Sequence, residues 1–163
     1  MKANFGCGGR LEPGWVGVDI RPMQGRVHVC NFWEAPFTPD SLDKIYCRHA
    51  LEHVTLSQSR LTLSKWEVWL KPAGTLELIV PCLEFHCRQL LGKVESGHRR
   101  GEFLHALAGF YGWQDGKDES IHRTGWNWPF LVDELKASGF TVVRRINSHP
   151  PSLHVFAQKE KKE

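Results

Sequence analysis

The residues with the clearest chemical potential lie at the start of the chain, in the stretch Asn4-Phe5-Gly6-Cys7-Gly8-Gly9. Its three glycines let the backbone turn sharply and approach a ligand closely. The next short apolar run ends in an acidic residue, Asp19, ten residues after this stretch. A carboxylate at the end of a buried strand needs a partner, and ribose hydroxyls would supply one. The spacing therefore predicts a site for an adenosine-containing cofactor, contacted by Gly6, Gly8 and Asp19.

The segment between these two features argues against a cofactor with a diphosphate. In dinucleotide sites, the glycine-rich turn leads into a helix whose N-terminus holds the pyrophosphate, and the acid follows about twenty residues later. Here only Arg10-Leu11-Glu12-Pro13-Gly14 precedes the next apolar run. Five residues that include proline and glycine form at most one irregular turn. The spacing thus favours an adenosine cofactor without phosphate.

Short apolar and β-branched runs predict the elements that must position this site. Such runs are typical of the buried strands of a mostly parallel sheet; they cover residues 2–5, 15–20, 27–30, 43–47 and 74–80. Two further strands, at 140–146 and 153–158, are separated by six residues. Because six residues cannot hold a crossover helix, these two strands must be antiparallel if they pair.

Helical patterns fill the remainder of the chain. One helix is expected to begin near Ala50 and another near Ser59, the latter ending at Lys71-Pro72-Ala73-Gly74. Helical patches at 85–91 and 103–110 flank a polar loop, and Pro129 suits the first turn of a last helix.

Residues 84–128 are interpreted as a substrate or lid insertion. Its last part lacks a regular period but contains His122, Trp113, Trp126 and Trp128. Long loops of this kind usually carry function or cover a site. Stacking of these tryptophans on a planar or sugar substrate stays open.

Length and composition favour one globular domain over residues 1–163, with 159–163 as a flexible tail. The chain has 163 residues, 41% of them hydrophobic, which suffices for one substantial core. A net charge of +3 does not indicate a nucleic-acid or anionic-membrane partner. Since neither a spanning apolar run nor a secretion signal is present in the sequence, a cytoplasmic location is expected.

The histidines and cysteines do not predict a metal centre. The five cysteines are an odd number without a CxxC pair, so we interpret them as reduced thiols. Close ligand spacing recurs only weakly, at Cys82, His86 and Cys87.

Taken in order, the motifs resemble those of class I S-adenosylmethionine-dependent methyltransferases, and within them small proteins of the type 11-like group. The resemblance spans nearly the whole chain, from Asn4 to about Gln158. Residues 4–8 resemble the first motif and residues 14–19 the second strand with its ribose-binding acid. The remaining motifs are the lead into strand four at 35–37 and 41–46, the Leu-Glu-His signature within 48–53, the turn before strand five at 70–76, and the closing hairpin.

This resemblance implies a Rossmann-like methyltransferase fold: a mostly parallel sheet with an antiparallel last strand and helices on both faces. It also implies the cofactor S-adenosyl-L-methionine and an unidentified O, N or C acceptor, with small molecules or saccharides favoured. The implied cofactor contacts are Phe5, Gly6, Cys7, Gly8, Asp19, Ile20, Asn31, Phe32, Arg48, His49 and Leu51. His53 and His122 are the candidates for a general base, whereas Glu52 is interpreted as a structural residue at a helix start.

The sequence departs from the family pattern in two ways. The first helix is reduced to a turn, so cover for the cofactor must come from elsewhere, with residues 109–129 as the expected cover. Asn31 stands where the family usually has an aspartate, although its carbonyl oxygen can accept the same hydrogen bond. Two other functions stay open: a non-catalytic adenosine-cofactor or nucleotide-sugar binding module, and a small RNA-binding protein. The oligomeric state also stays open, with a homodimer as one possibility.

Overall fold

The computed structural model describes residues 1–9, 11–146 and 150–161, and this part of the chain forms seven strands and four α-helices. The strands are β1 (Lys2–Phe5), β2 (Trp15–Asp19), β3 (Val27–Val29), β4 (Leu42–Arg48), β5 (Leu70–Pro81), β6 (Phe140–Ile146) and β7 (Ser152–Lys159). The helices are α1 (Leu56–Trp69), α2 (Leu83–Leu90), α3 (Glu102–Tyr111) and α4 (Trp128–Ala137). Short 3-10 turns lie at Phe32–Glu34, Leu51–His53 and Asp118–Ser120.

The strands form one sheet in the order β3-β2-β1-β4-β5-β7-β6. The pairs among β1 to β5 are parallel, and β7 lies antiparallel between β5 and β6. This confirms the predicted α/β class and the antiparallel pairing of the last two strands. The predicted connection between them includes residues 147–149, which lie outside the described residues. Strand order reverses between β1 and β4, and ligands of open α/β sheets bind at such a point, beyond the carboxyl ends of the strands.

Aromatic side chains fill the core beneath that point. The Phe5 ring has no exposed surface, and its centroid lies 5.0 Å from that of Trp66 and 6.1 Å from that of Trp69. Trp66 and Trp69, both on α1, therefore belong to the core. Trp126 is also fully buried and stacks on Phe130, so the possibility that it stacks on a substrate, left open by the sequence, is excluded.

Helix α1 begins at Leu56, three residues before the expected start. Thr55 and Gln58 form a reciprocal cap: the Thr55 N–H donates to Gln58 Oε1 at 2.9 Å, and the Gln58 N–H donates to Thr55 Oγ1. The residues after Ala50 form only the 3-10 turn Leu51–His53, so the separate helix expected there is wrong.

Strand β5 begins at Leu70, four residues earlier than predicted. Leu42 pairs with Leu70 and Lys44 with Thr75, so residues 71–74 bulge outward opposite Asp43. A Cβ at Gly74 would lie 2.7 Å from the Lys71 carbonyl oxygen, which explains the glycine in this bulge. The Lys-Pro-Ala-Gly segment is therefore an irregularity inside the strand rather than a turn before it.

The end of β7 differs from the predicted tail. Lys159 belongs to the strand, and its buried Nζ donates to Asp40 Oδ1 at 2.9 Å and to the Leu70 carbonyl at 2.8 Å. Residues 162 and 163 of the predicted tail lie outside the described residues. Among the described helices, none has the length and apolar character that a bilayer crossing requires.

Candidate functional site

A cleft of about 1010 Å³ opens where the carboxyl ends of β1, β2, β4 and β5 meet. Gly6, Asp19, His49 and Pro81 line it, one from the end of each strand. Its volume is at the upper end of the roughly 300–1,000 Å³ of small-molecule sites, so the cleft can accommodate a cofactor together with a second molecule.

Asp19 presents a buried carboxylate to this cleft. The residue is only 3% exposed, and its Oδ2 accepts from the Gly8 N–H at 3.0 Å. Its Oδ1 accepts from the N–H of Arg21 at 3.1 Å and from Arg21 Nε at 3.2 Å. These bonds fix the carboxylate at the end of β2. Oδ1 already accepts two hydrogen bonds, and Oδ2 retains a lone pair for a ligand hydroxyl. The Gly8 amide thus positions the acid, and Gly8 itself is not among the residues that line the cleft.

Gly6 occupies a position that only glycine fits. Its φ is +66°, and its N–H donates to the Val18 carbonyl at 2.8 Å. A Cβ at Gly6 would lie 2.3 Å from the Cβ of Ala50. The backbone of β1 and the segment after β4 therefore approach one another closely at the base of the cleft.

Three predicted cofactor contacts lie together beside Asp19. Ile20 lines the cleft and is 53% exposed, although it is a large apolar residue at the end of a buried strand. Phe32 also lines the cleft but is largely buried, with its ring packed edge-on against Phe5. Asn31 donates through Nδ2 to Glu34 Oε2 at 2.9 Å, which directs its amide oxygen away from that carboxylate.

Three other predicted contacts are not in the cleft. The side chains of Phe5 and Leu51 have no exposed surface, and Cys7 is buried beneath the glycine-rich turn. Burial, followed by the charge of Asp19, raises the pKa of the Cys7 thiol. The structure shows all five cysteines unpaired, as the reduced-thiol interpretation expected.

Arg48 and His49 reach the cleft from the end of β4. His49 has a φ of +48°, uncommon for a residue with a side chain, and its N–H donates to the Ile79 carbonyl at 2.8 Å. This conformation places His49 Nδ1 3.4 Å from Glu52 Oε1.

The sequence indicates a structural role for Glu52 at a helix start, but the structure places this residue in the lining of the cleft. The residue lines the cleft, is 1% exposed, and neither carboxylate oxygen has a hydrogen-bond partner among the described residues. Its backbone carbonyl accepts from the N–H groups of Arg123 and Thr124, which joins it to the segment carrying His122. In the sequence, its position next to His53 is the only indication that Glu52 belongs to the site.

The two candidate bases, His53 and His122, lie side by side. Their ring centroids are 4.9 Å apart, and His122 Nε2 lies 4.0 Å from Glu52 Oε1. His53 Nδ1 is 3.1 Å from the Ile121 carbonyl oxygen, and His122 Nδ1 is 3.1 Å from that of Gly109. Because a carbonyl oxygen can only accept, each Nδ1 carries a hydrogen, and in the neutral ring Nε2 then has the lone pair. Burial lowers the pKa of His122, which favours this neutral form.

Aromatic and imidazole rings form the opposite wall. His98 stacks on His105 with centroids 4.5 Å apart, and Trp113, 41% exposed, lies 5.2 Å from His98. The Arg100 guanidinium lies 4.5 Å from the Trp113 centroid. Glu102 orders the loop that carries His98, and hydrogen bonds, first from the Ser96 N–H, lower the pKa of its carboxyl to about 2.

We expect buried His86 to make the protein less stable as the pH falls below 6.5. Burial lowers the pKa of His86 from its ordinary value of 6.5, so the unfolded chain binds this proton more tightly than the folded protein. The contribution of neutral His86 to the free energy of unfolding is therefore complete above pH 6.5, and it is lost as the pH falls through the pKa of the folded protein. Burial also lowers the pKa of His122, so His122 adds to the same dependence of stability on pH. Urea unfolding of chelator-treated protein at pH values on either side of 6.5 measures this change in the free energy of unfolding.

The replacement His86→Gln should reduce the change in the free energy of unfolding with pH. Most carboxylates titrate well below this window, so they do not mask the effect. A free energy of unfolding that stays constant across the window in the unaltered protein would contradict the assignment.

Comparisons with known proteins identify the fold. No family model matches the sequence, and no curated protein matches it significantly. Several solved structures do. A SAM-dependent methyltransferase from Archaeoglobus fulgidus aligns with a TM-score of 0.66 at 16% identity, over 97% of this chain and 85% of that one. A SAM-dependent methyltransferase from Methanosarcina mazei aligns with a TM-score of 0.65 at 17% identity, over 99% of this chain and 92% of the other.

A third similar structure contains ligands. It is the 1,6-didemethyltoxoflavin-N1-methyltransferase of Burkholderia thailandensis with bound 1,6-didemethyltoxoflavin and S-adenosylhomocysteine, at a TM-score of 0.64 and 17% identity, over 98% of this chain and 71% of that one. At such identities the similarity establishes the fold. The chain thus has the fold of class I SAM-dependent methyltransferases, as the motifs predicted.

Proposed function

We propose that this chain, which has the fold of these methyltransferases, binds S-adenosyl-L-methionine in the cleft and transfers its methyl group to an O, N or C acceptor. The single observation that carries this proposal is the buried Asp19 carboxylate. It is held in place by the Gly8 amide at the end of β2, where ribose hydroxyls can reach it.

The surroundings of Asp19 fit an adenosine. Exposed Ile20 offers an apolar surface for the adenine ring, and Phe32 also lines the cleft. Asn31 would supply a carbonyl oxygen for the adenine amine. Covering Ile20 with an aromatic ring would remove apolar surface from water. The described residues between β1 and β2 form turns and no helix, so a helix N-terminus for a diphosphate is absent from this part of the chain.

The chain's own residues would act mainly by positioning. The cofactor, when bound, supplies a methyl group already activated by its sulfonium centre. The cleft must hold the acceptor in line with the bond that breaks. For a hydroxyl or amine acceptor, Nε2 of His53 or His122 would take the proton.

Residues 84–128 would form the acceptor side of the cleft. The exposed face of Trp113 and the stacked pair His98 and His105 offer flat surfaces for a planar ring or a sugar. This arrangement supports a small-molecule or saccharide acceptor.

Calorimetric titration with S-adenosylhomocysteine tests the cofactor assignment, with NADH as the matched control. We expect saturable binding of the first ligand and none of the second. Absence of heat with S-adenosylhomocysteine would contradict the proposal.

Methyl transfer separates an enzyme from the alternative of a non-catalytic adenosine-cofactor or nucleotide-sugar binding module. Labelled cofactor is incubated with fractions of small molecules, saccharides, RNA and protein, and Asp19→Ala protein serves as the blank. We expect label in a small-molecule or saccharide fraction. Cofactor binding with transfer to no fraction would favour the binding module.

We expect His53→Ala to reduce turnover with a hydroxyl or amine acceptor by about tenfold, because His122 remains nearby to accept the proton. The affinity for S-adenosylhomocysteine should not change, since His53 is not among the implied cofactor contacts. Steady-state kinetics and calorimetry on the same preparation measure both quantities. Unaltered turnover would make His53 a structural residue.

A further inference from the structure

Glu52, His53 and His122 have the composition and spacing of a metal site. Among the residues that the structure describes, these three offer one carboxylate oxygen and two imidazole nitrogens within 4.8 Å of one another. The chain segments that carry them are far apart in sequence and are joined by the hydrogen bonds from Arg123 and Thr124 to the Glu52 carbonyl.

The burial and the hydrogen bonding of the Glu52 carboxylate favour a cation as its partner. A buried carboxylate is costly unless it is paired or coordinates a metal. Glu52 is almost completely buried, and the described residues provide no hydrogen bond to either oxygen. The nearby groups are imidazoles: His49 Nδ1 at 3.4 Å and His122 Nε2 at 4.0 Å.

Both histidines are also oriented as ligands. Metal-bound histidines commonly donate one ring N–H to a backbone carbonyl, which fixes the tautomer and leaves the other nitrogen for the metal. His53 and His122 each make this contact through Nδ1, to Ile121 and Gly109 respectively.

We propose that Glu52, His53 Nε2 and His122 Nε2 bind a divalent transition-metal ion of the zinc type. Two imidazoles and one carboxylate are a donor set that zinc accepts, and a three-ligand site keeps one position open. Zinc bonds of about 2.0 Å require ligand atoms about 3.3 Å apart, so separations that now extend to 4.8 Å must shorten by up to about 1.5 Å on binding. All three line the cleft, and the open position would face it.

The metal site itself does not depend on the methyl-transfer proposal. Its role in the reaction does rest on that proposal: the open position would bind an oxygen atom of the acceptor. The two histidines would then be ligands rather than bases.

Direct binding tests the site without cofactor or acceptor. Chelator-treated protein is titrated with Zn²⁺ in a calorimeter, and with Co²⁺ while visible absorption is recorded. We expect one equivalent to bind, with the visible bands of tetrahedral Co²⁺ and no thiolate charge-transfer band. His53→Ala and His122→Ala should each lower the affinity by about 10- to 100-fold or more.

His98→Ala is the matched control, since His98 also lines the cleft but lies outside the group. Its affinity for Zn²⁺ should equal that of the unaltered protein. Binding that is abolished by Cys87→Ser, or that the control weakens as much as His122→Ala does, would overturn the proposal. So would the absence of any binding.

Glu52→Gln gives a second readout with opposite signs. We expect it to raise the melting temperature of the metal-free protein, because a buried carboxylate without a hydrogen-bond partner is replaced by a neutral amide. It should also abolish the rise in melting temperature that Zn²⁺ causes. A lower metal-free melting temperature with an intact Zn²⁺ effect would contradict the site.

The two proposals can fail independently. Zn²⁺ binding without affinity for S-adenosylhomocysteine supports the metal site and contradicts the methyltransferase function. S-adenosylhomocysteine binding without Zn²⁺ binding supports the function and overturns the metal site.

Discussion

Replacement of Gly6 by alanine should lower the free energy of unfolding by about 2–4 kcal/mol. The new Cβ would lie 2.3 Å from the Cβ of Ala50, within the core beneath the cleft. The φ of +66° adds strain for any residue with a side chain. Urea unfolding measures the loss, and binding of S-adenosylhomocysteine should weaken together with it.

Two further variants isolate the steric cause. Gly8→Ala shares the positive φ, but its Cβ would meet only the Gly6 carbonyl oxygen at 3.9 Å, so we expect a loss of about 1 kcal/mol. In the double variant Gly6→Ala with Ala50→Gly, about 1–2 kcal/mol should return, because the clash is removed while the strain remains. Equal losses for Gly6→Ala and Gly8→Ala would show that the contact with Ala50 is not the cause.

Removal of the Asp19 carboxylate should weaken binding of S-adenosylhomocysteine by about 1–3 kcal/mol, or roughly 5- to 150-fold. The ribose hydroxyls would lose their acceptor at the end of β2, and the Gly8 N–H would lose the partner that fixes the turn. Calorimetric titration of Asp19→Ala measures the change.

Asp133→Ala provides the control, since Asp133 is an exposed acid on α4 that does not line the cleft. The two variants carry the same charge, so the comparison removes the effect of net charge. Urea unfolding of Asp19→Ala shows whether the protein still folds. Equal affinity in a folded Asp19→Ala protein would exclude Asp19 from the ribose role.

Much of the fold could be predicted from the sequence because its signals are local. The buried parallel strands appear as short apolar runs, and the brief link between the last two strands requires them to be antiparallel if paired. The start of β5 could not be predicted in this way. Lys71-Pro72-Ala73-Gly74 has the composition of a turn, and only the long-range pairing of Leu42 with Leu70 makes it a bulge within the strand.

The same distinction applies to the site. Gly6 and Asp19 lie close in sequence, and their spacing predicts their shared role. Glu52 resembles a favourable residue at a helix start, and its interest depends on its burial and on His122, which the fold brings near it from the segment after α3. Burial of Trp126 likewise results from its stacking on Phe130, which periodicity in that segment did not indicate.

A crystal structure of the protein soaked with both S-adenosylhomocysteine and NADH would show which kind of cofactor binds beside Asp19. We expect S-adenosylhomocysteine in the cleft, with its ribose hydroxyls on the Asp19 carboxylate and its adenine against Ile20. A dinucleotide ordered across residues 6–19, with no S-adenosylhomocysteine bound, would contradict this expectation.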